Sequence, residues 1–288
     1  MAHAERLQAL REQMSARGID AYIIPSSDPH ISEYLPERYK CIAWTSGFTG
    51  SAGTLAITQD FAGLWTDSRY FVQAADQLAG TGFELVKLSV QAAAEYAFWL
   101  ADRLPAGSTV AFDGNLASLA VAQAVEGALL PLDIQVNGHV DLLDVIWKDR
   151  PSLPRSKAYL LDESTTGETA NSKLVRVREQ LRLKRISAHL ISSLDDLAWI
   201  LNLRGSDVKC NPVVLGFLLL EDEKNTLFID ETNLSVNDQR SLQQAGVSIQ
   251  PYWEAFQAVT AIQTERILLD PKRTCFAMYD AVPEGGAR

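Results

Sequence analysis

Ala62-Gly63-Leu64-Trp65-Thr66-Asp67-Ser68-Arg69-Tyr70-Phe71 reads as a buried strand, Gly63 to Thr66, that stops at a polar Asp-Ser-Arg corner before a helix starts at Tyr70. A cation at the carboxyl end of a strand, in a corner between two elements, is a common place for a ligand contact. Arg69 is therefore the first candidate site residue. The competing reading is local, with Arg69 pairing to Asp67 or a neighbouring acid.

Working outward, the same alternation of apolar runs and turn residues continues on both sides. Leu7, Leu10 and Met14 are spaced as one helix face over residues 4–17, and Gly18 ends that helix. Ala21 to Ile24 is a strand stopped by Pro25-Ser26-Ser27-Asp28-Pro29. Ile42-Ala43-Trp44 precedes the glycine-rich turn Ser46 to Gly53, which leads into a strand from Thr54 to Thr58. Beyond the opening stretch come a helix from Tyr70 to Ala79, a strand from Phe83 to Leu88, helix 91–103, strand 109–112 and helix 116–130.

Pro151 and Pro154 fix the backbone and interrupt both helix and sheet, so Trp147 to Pro154 reads as a semi-rigid boundary. After it the plan repeats. Asn171 to Lys184 is a helix, and Ile186 to Ser192 aligns with Asp20 to Ser26. A short helix spans Leu194 to Leu201, and Leu203 to Asp207 stands in for the glycine-rich turn. Val213 to Leu220 answers the Thr54 strand, Thr226 to Asp230 answers Leu64 to Asp67, and Ser235 to Ala245 answers the Tyr70 helix. Val247 to Gln250 answers Phe83 to Leu88, Arg266 to Asp270 looks like a further strand, and Ala281 to Arg288 is a loop. The expectation is two tandem α/β domains of one plan, residues 1–150 and 151–288, each a mixed β-sheet flanked by helices.

Composition narrows the function. The 288 residues carry 26 basic and 36 acidic side chains, a net charge of -10, which disfavours nucleic acid as a partner. The longest apolar run, Val213 to Leu220, is too short to span a bilayer, so no membrane is expected. Cys41, Cys210 and Cys275 form no C-x-x-C pair, and an odd, scattered set points to a reducing compartment. The polar, amphipathic residues 1–20 do not read as a signal peptide.

The motifs are mostly bland. Gly47 to Gly53 has neither the dinucleotide fingerprint nor a following Gly-Lys-Ser/Thr, and it precedes a strand. A tight turn is the better reading. His3, His30, His139 and His189 show no pairing at ligand spacing, so no metal site is expected within the chain. Asp28 to Tyr34 is either a capped turn or a ligand-facing loop. Arg204 carries the same ambiguity as Arg69.

Taken together, several segments resemble the amino-terminal part of the cytosolic, three-domain form of Xaa-Pro aminopeptidase (aminopeptidase P). They are Ala21 to Ser26, His30 with Ser32-Glu33-Tyr34, Ser46 to Thr54, Trp65 to Phe71, Ile146-Trp147 with Arg150-Pro151, and Leu201 to Asp207 with Asn211-Pro212-Val213. They follow family order over nearly the whole chain. Ser68 stands where the family carries glycine, which leaves the arginine in register.

The resemblance implies two creatinase-type amino-terminal domains. It also implies a third, carboxy-terminal "pita-bread" catalytic domain, absent from this chain and expected to begin about where the chain stops. That domain would carry two manganese ions and release the first residue from peptides with proline in second place by metal-assisted hydrolysis. This chain would then have no cofactor of its own, no catalytic residue and no activity alone, and would shape the substrate cleft. Arg69 maps onto the family's substrate-contacting arginine, with His30 and Arg204 lining the mouth of the site. A cytoplasmic location is implied, and the resemblance leaves room for a homodimer of the full-length form. Two other readings stand beside it: a peptide- or protein-binding module built on the same fold, and a relative acting on a small molecule such as creatine, which the duplicated half argues against.

Overall fold

The computed structural model describes residues 1–90, 94–262 and 266–283. The chain divides into two compact units. The first comprises Met1–Asp28, Glu37–Ser152 and Cys275–Ala277, and the second comprises Pro29–Pro36, Leu153–Thr274 and the segment from Met278 onward.

The first unit runs α1 (His3–Ala16), β1 (Ala21–Pro25), α2 (Cys41–Ser46), β2 (Thr54–Thr58), β3 (Ala62–Thr66), α3 (Phe71–Gln77), β4 (Glu84–Lys87), α4 (Glu95–Ala101), β5 (Thr109–Phe112), α5 (Leu119–Leu129), β6 (Gln135–Asn137) and α6 (Leu142–Ile146). Its six strands lie in the order β4-β3-β2-β1-β5-β6. Only β2 runs antiparallel to its neighbours, so β1, β3, β4, β5 and β6 all end on one edge. Central β1 and β3 are buried at every position, as strands covered on both faces must be. Ile23, Trp65 and Phe112 pack under Ala97 and Leu100 of α4 and Ala122 and Val125 of α5. Tyr22 points the opposite way, and its hydroxyl donates to Val140 O at 2.8 Å and accepts from Leu142 N at 3.2 Å, at the start of α6. Ser118 caps α5 by accepting from Val121 N.

The second unit runs β7 (Tyr159–Leu160), α7 (Glu163–Thr166), α8 (Ala170–Leu183), β8 (Ala188–Ile191), α9 (Leu194–Ile200), β9 (Leu203–Arg204), β10 (Phe217–Glu221), β11 (Asn225–Phe228), α10 (Val236–Gln244), β12 (Val247–Gln250), α11 (Glu254–Thr260) and β13 (Ile267–Leu268). Its main sheet is β12-β11-β10-β8-β13, with only β10 antiparallel to its neighbours. Strand for strand this repeats β4-β3-β2-β1-β5. The helices follow, with α8, α9, α10 and α11 in the chain positions of α1, α2, α3 and α4. Leu174 and Leu181 of α8, Leu197 and Ile200 of α9 and Leu242 of α10 form the core with Leu218, Leu220 and Leu227 of the sheet.

Several expectations need correction. Ile42 to Trp44, read only as a lead-in to a turn, lies in α2, and β6, α6, α7 and α11 were not foreseen. The strand expected over Val213 to Leu220 begins at Phe217. Asp207 diverts the residues before it: its carboxylate accepts from Leu215 N at 2.9 Å and its own N–H donates to Val213 O at 3.1 Å. Leu203-Arg204, read as the counterpart of the glycine-rich turn, pairs with Tyr159-Leu160 in a two-stranded ribbon. The helix expected over 91–103 occupies Glu95–Ala101, with residues 91–93 outside the described set. Of the loop expected over 281–288, residues 284–288 likewise lie outside it.

Candidate functional site

At the carboxyl edge of the first sheet, β3 ends on Thr66, whose buried hydroxyl donates to Ala52 O at 2.6 Å. Asp67 then caps the 3-10 turn Ser68–Tyr70. Its Oδ1 accepts from Arg69 N at 3.1 Å and Arg69 Nε at 2.8 Å, and its Oδ2 accepts from Arg69 Nη2 at 2.7 Å. The local pairing of Arg69 with Asp67 is present, and the arginine side chain is 53% exposed against 9% for Asp67. The fork holds the guanidinium plane in one orientation while leaving it accessible. The hydrogen bonds from Arg69 hold the Asp67 carboxyl below its ordinary range, so the pair stays ionised through neutral pH.

The glycine-rich turn is the wall beside this corner. Tyr70 Oη and Ser51 Oγ share a hydrogen bond of 2.8 Å, and Phe48 meets the Tyr70 ring edge-on at 5.6 Å. A Cβ on Gly50 would fall 2.2 Å from Phe48 Cζ and 2.8 Å from Tyr70 Cδ1, so only glycine fits between the rings. Gln77 Oε1 accepts from Thr49 N at 2.9 Å, while Gln73 and Gln77 both donate to Thr49 Oγ1. Ser26 at the end of β1 closes the other side, donating through its N–H to Gly53 O and through its hydroxyl to Ser51 O.

The other two candidates occupy different surroundings. His30 is 1% exposed and belongs to the second unit, where Nδ1 lies 2.8 Å from Ser192 O and Nε2 2.9 Å from Tyr252 Oη. The Nδ1 contact with a carbonyl requires a proton on Nδ1, and the ring packs on Phe217 at 4.4 Å. Arg204 sends Nη1 to Ala198 O at 2.6 Å and Leu203 O at 2.9 Å, so its cation serves the carboxyl end of α9. Arg69, His30 and Arg204 thus do not form one cluster within a unit.

A second polar centre in the first unit surrounds Arg150, which the sequence offered only as part of a family-like segment. Arg150, only 5% exposed, donates to Asp141 Oδ2 at 2.5 Å and Arg38 O at 3.3 Å, and lies over the Trp147 ring. Trp147 stacks on Trp44 at 4.8 Å, so Trp147 to Arg150, read as part of the linker, is anchored in the first unit's core. Burial and the neighbouring Asp141 push the Asp113 carboxyl up to about 6 against the hydrogen bonds from Asn115. The same burial pushes the Cys41 thiol up to about 12, an unreactive sulfur. Among the described residues Cys41, Cys210 and Cys275 form no disulfide.

Among the described residues no three His, Cys, Asp or Glu side chains converge as a metal-ligand set. No helix among them is long and apolar enough to cross a membrane.

A family profile described as Creatinase/Prolidase N-terminal domain matches residues 6–150, and a second of the same description matches residues 149–288. The probable Xaa-Pro aminopeptidase P of Neurospora crassa is 38% identical over 261 residues, covering 88% of this chain and 37% of that protein. The Xaa-Pro aminopeptidase 1 of Dictyostelium discoideum is 34% identical, covering 98% and 46%. The crystal structure of a Caenorhabditis elegans X-prolyl aminopeptidase, described as a cytosolic enzyme with a di-nuclear active site, superposes with a TM-score of 0.92 at 30% identity over 99% of this chain and 49% of that one. The chain thus spans less than half the length of these relatives.

Proposed function

Because the chain belongs to the creatinase/prolidase N-terminal domain family and aligns with the amino-terminal part of Xaa-Pro aminopeptidases, we propose that it serves as the non-catalytic, substrate-shaping part of a peptidase that releases the first residue from peptides with proline in second place. The observation that carries the reading is the likeness to the C. elegans enzyme over 99% of the chain. In this reading Arg69 contacts substrate. Its Asp67 fork presents the guanidinium already oriented, so a peptide carbonyl or carboxylate meets fixed donors and less side-chain entropy is lost on binding. His30 and Arg204 support the mouth of the site from their buried and helix-end positions. Two manganese ions, held by residues outside this chain, would supply the activated water, and the whole protein would work in the cytoplasm, with a homodimer as its candidate assembly.

The test is release of arginine from an Arg-Pro-Pro peptide with manganese present, comparing this 288-residue chain with a full open reading frame of its relatives' length. Activity in the long form alone is the expected result. Activity that travels with the short chain through purification would reject its non-catalytic role. Activity in neither would turn the reading toward a binding module.

A further inference from the structure

The second unit holds a cleft of about 280 Å³, lined entirely by its own residues. It opens at the carboxyl ends of the adjacent parallel strands β8 and β13, through Ser192, Ser193, Asp196, Asp270, Arg273 and Thr274. From β8 the chain returns to β10 on one side. β13, reached from β12 across the sheet, lies on the other. Connections that diverge from neighbouring parallel strands leave a crevice, which is where open α/β sheets take ligands.

In the first unit the equivalent strands are β1 and β5, and α6 follows them and packs beside α1. There Asp28 and Asp113, just past the ends of these strands, are buried. In the second unit the face of α8 and α9 lines the cleft through Val177, Trp199 and Ile200.

The walls carry complementary chemistry. Asp196 and Asp270 lie on the rim with Arg273, and all three are exposed. His189 is pinned by its Nδ1, which donates to Leu268 O at 3.0 Å. The Trp199 indole, 47% exposed, is held by the buried Lys173, whose Nζ sits 4.6 Å from the ring and donates to Trp199 O at 2.8 Å and Asn202 Oδ1 at 2.6 Å. Ser192 buries a hydroxyl for which the described residues supply no partner. Acids and a base around an apolar indole suit a small molecule with both charges and a short apolar body. We propose that this cleft binds a free amino acid, its ammonium toward Asp196 and Asp270, its carboxylate toward Arg273 and its side chain against Trp199. This inference does not rest on the peptidase reading.

The test is titration of the isotope-labelled chain with L-leucine, followed by NMR of the Trp199 indole and the His189 ring. Both signals should shift saturably by millimolar leucine. Leucine amide and N-acetyl-leucine, each lacking one charge, should bind about ten-fold or more weakly, about 1.4 kcal/mol each. Asp196→Asn and Arg273→Gln, both at exposed positions, should weaken leucine similarly while melting as the parent does. Absence of any shift at tens of millimolar, shifts confined to other tryptophans, or equal binding of the blocked derivatives would each overturn the proposal.

Discussion

Arg69 and Asp67 show how a short local motif does two jobs. The carboxylate caps a turn through Oδ1 and orients a cation through both oxygens. In the full-length protein, Arg69→Ala is expected to lower kcat/KM about ten-fold or more, about 1.4 kcal/mol, and an unchanged value with intact folding would reject a substrate contact. Arg69→Lys should not restore it, because an ammonium cannot reproduce the fork. Asp113 makes a separate, pH-dependent prediction. Its carboxyl rises to about 6 in the folded chain from an ordinary 3.8, so the folded state holds a proton that the unfolded state has released between those values. Stability from this group is therefore greatest at the acid end and declines as pH rises through about 6. Asp113→Asn keeps an oxygen for the Asn115 donors and removes the buried charge. Denaturant melts above pH 7 should show it more stable by about 1–3 kcal/mol, with a flatter profile between pH 4 and 7. A variant less stable than the parent at pH 8 would contradict this. The Asp67–Arg69 pairing was legible in the sequence because the partners are two residues apart. The burial of His30 was not, because Ser192 and Tyr252 lie 162 and 222 residues downstream.

Strands with continuous apolar runs and most helices of about two turns or more were legible in outline, α11 excepted, and β2 runs from Thr54 to Thr58 as read. The failures were short or diverted elements. The five residues of α6 and the six of α2 are too few to show a helical period. The apolar run Val213 to Leu220 looks uniform, yet its first half is drawn off the ladder by Asp207, a choice no periodicity encodes. Asp207 accepts from Ser156 N at 3.0 Å and Ser156 Oγ at 2.7 Å on one oxygen and from Leu215 N on the other. Asp207→Ala strands those donors and should cost about 2–3 kcal/mol in urea unfolding, whereas a loss below 0.5 kcal/mol would show that water replaces the carboxylate. The glycine-rich turn is similarly explicit. Gly50→Ala drives a methyl into Phe48 and Tyr70, so it should destabilise the chain and, in the proposed full-length peptidase, reduce activity by displacing Tyr70, the neighbour of Arg69.

On the scale of the whole molecule the duplication was readable because the order of strands and turns recurs, and the two sheets repeat that order with the same single antiparallel strand. The exchange of Pro29–Pro36 and Cys275–Ala277 between units was not, since it depends on packing between residues far apart in sequence. Carboxylates at strand ends, at a helix cap and in a loop are spent on hydrogen bonds and ion pairs inside the protein. Asp67 serves Arg69, Asp113 serves Asn115, Asp141 serves Arg150 and Asp207 serves Ser156 and Leu215. A divalent cation that bound the folded chain and not the unfolded one would stabilise it by RT ln(1 + [L]/Kd), about 2.7 kcal/mol at a hundredfold excess over Kd. With these four carboxylates so committed, and no three possible ligands converging among the described residues, this chain should melt at the same temperature in millimolar manganese and in EDTA. A rise of several degrees in manganese that EDTA reverses would reveal a resident metal site and would overturn the assignment of the metal centre to residues outside this chain.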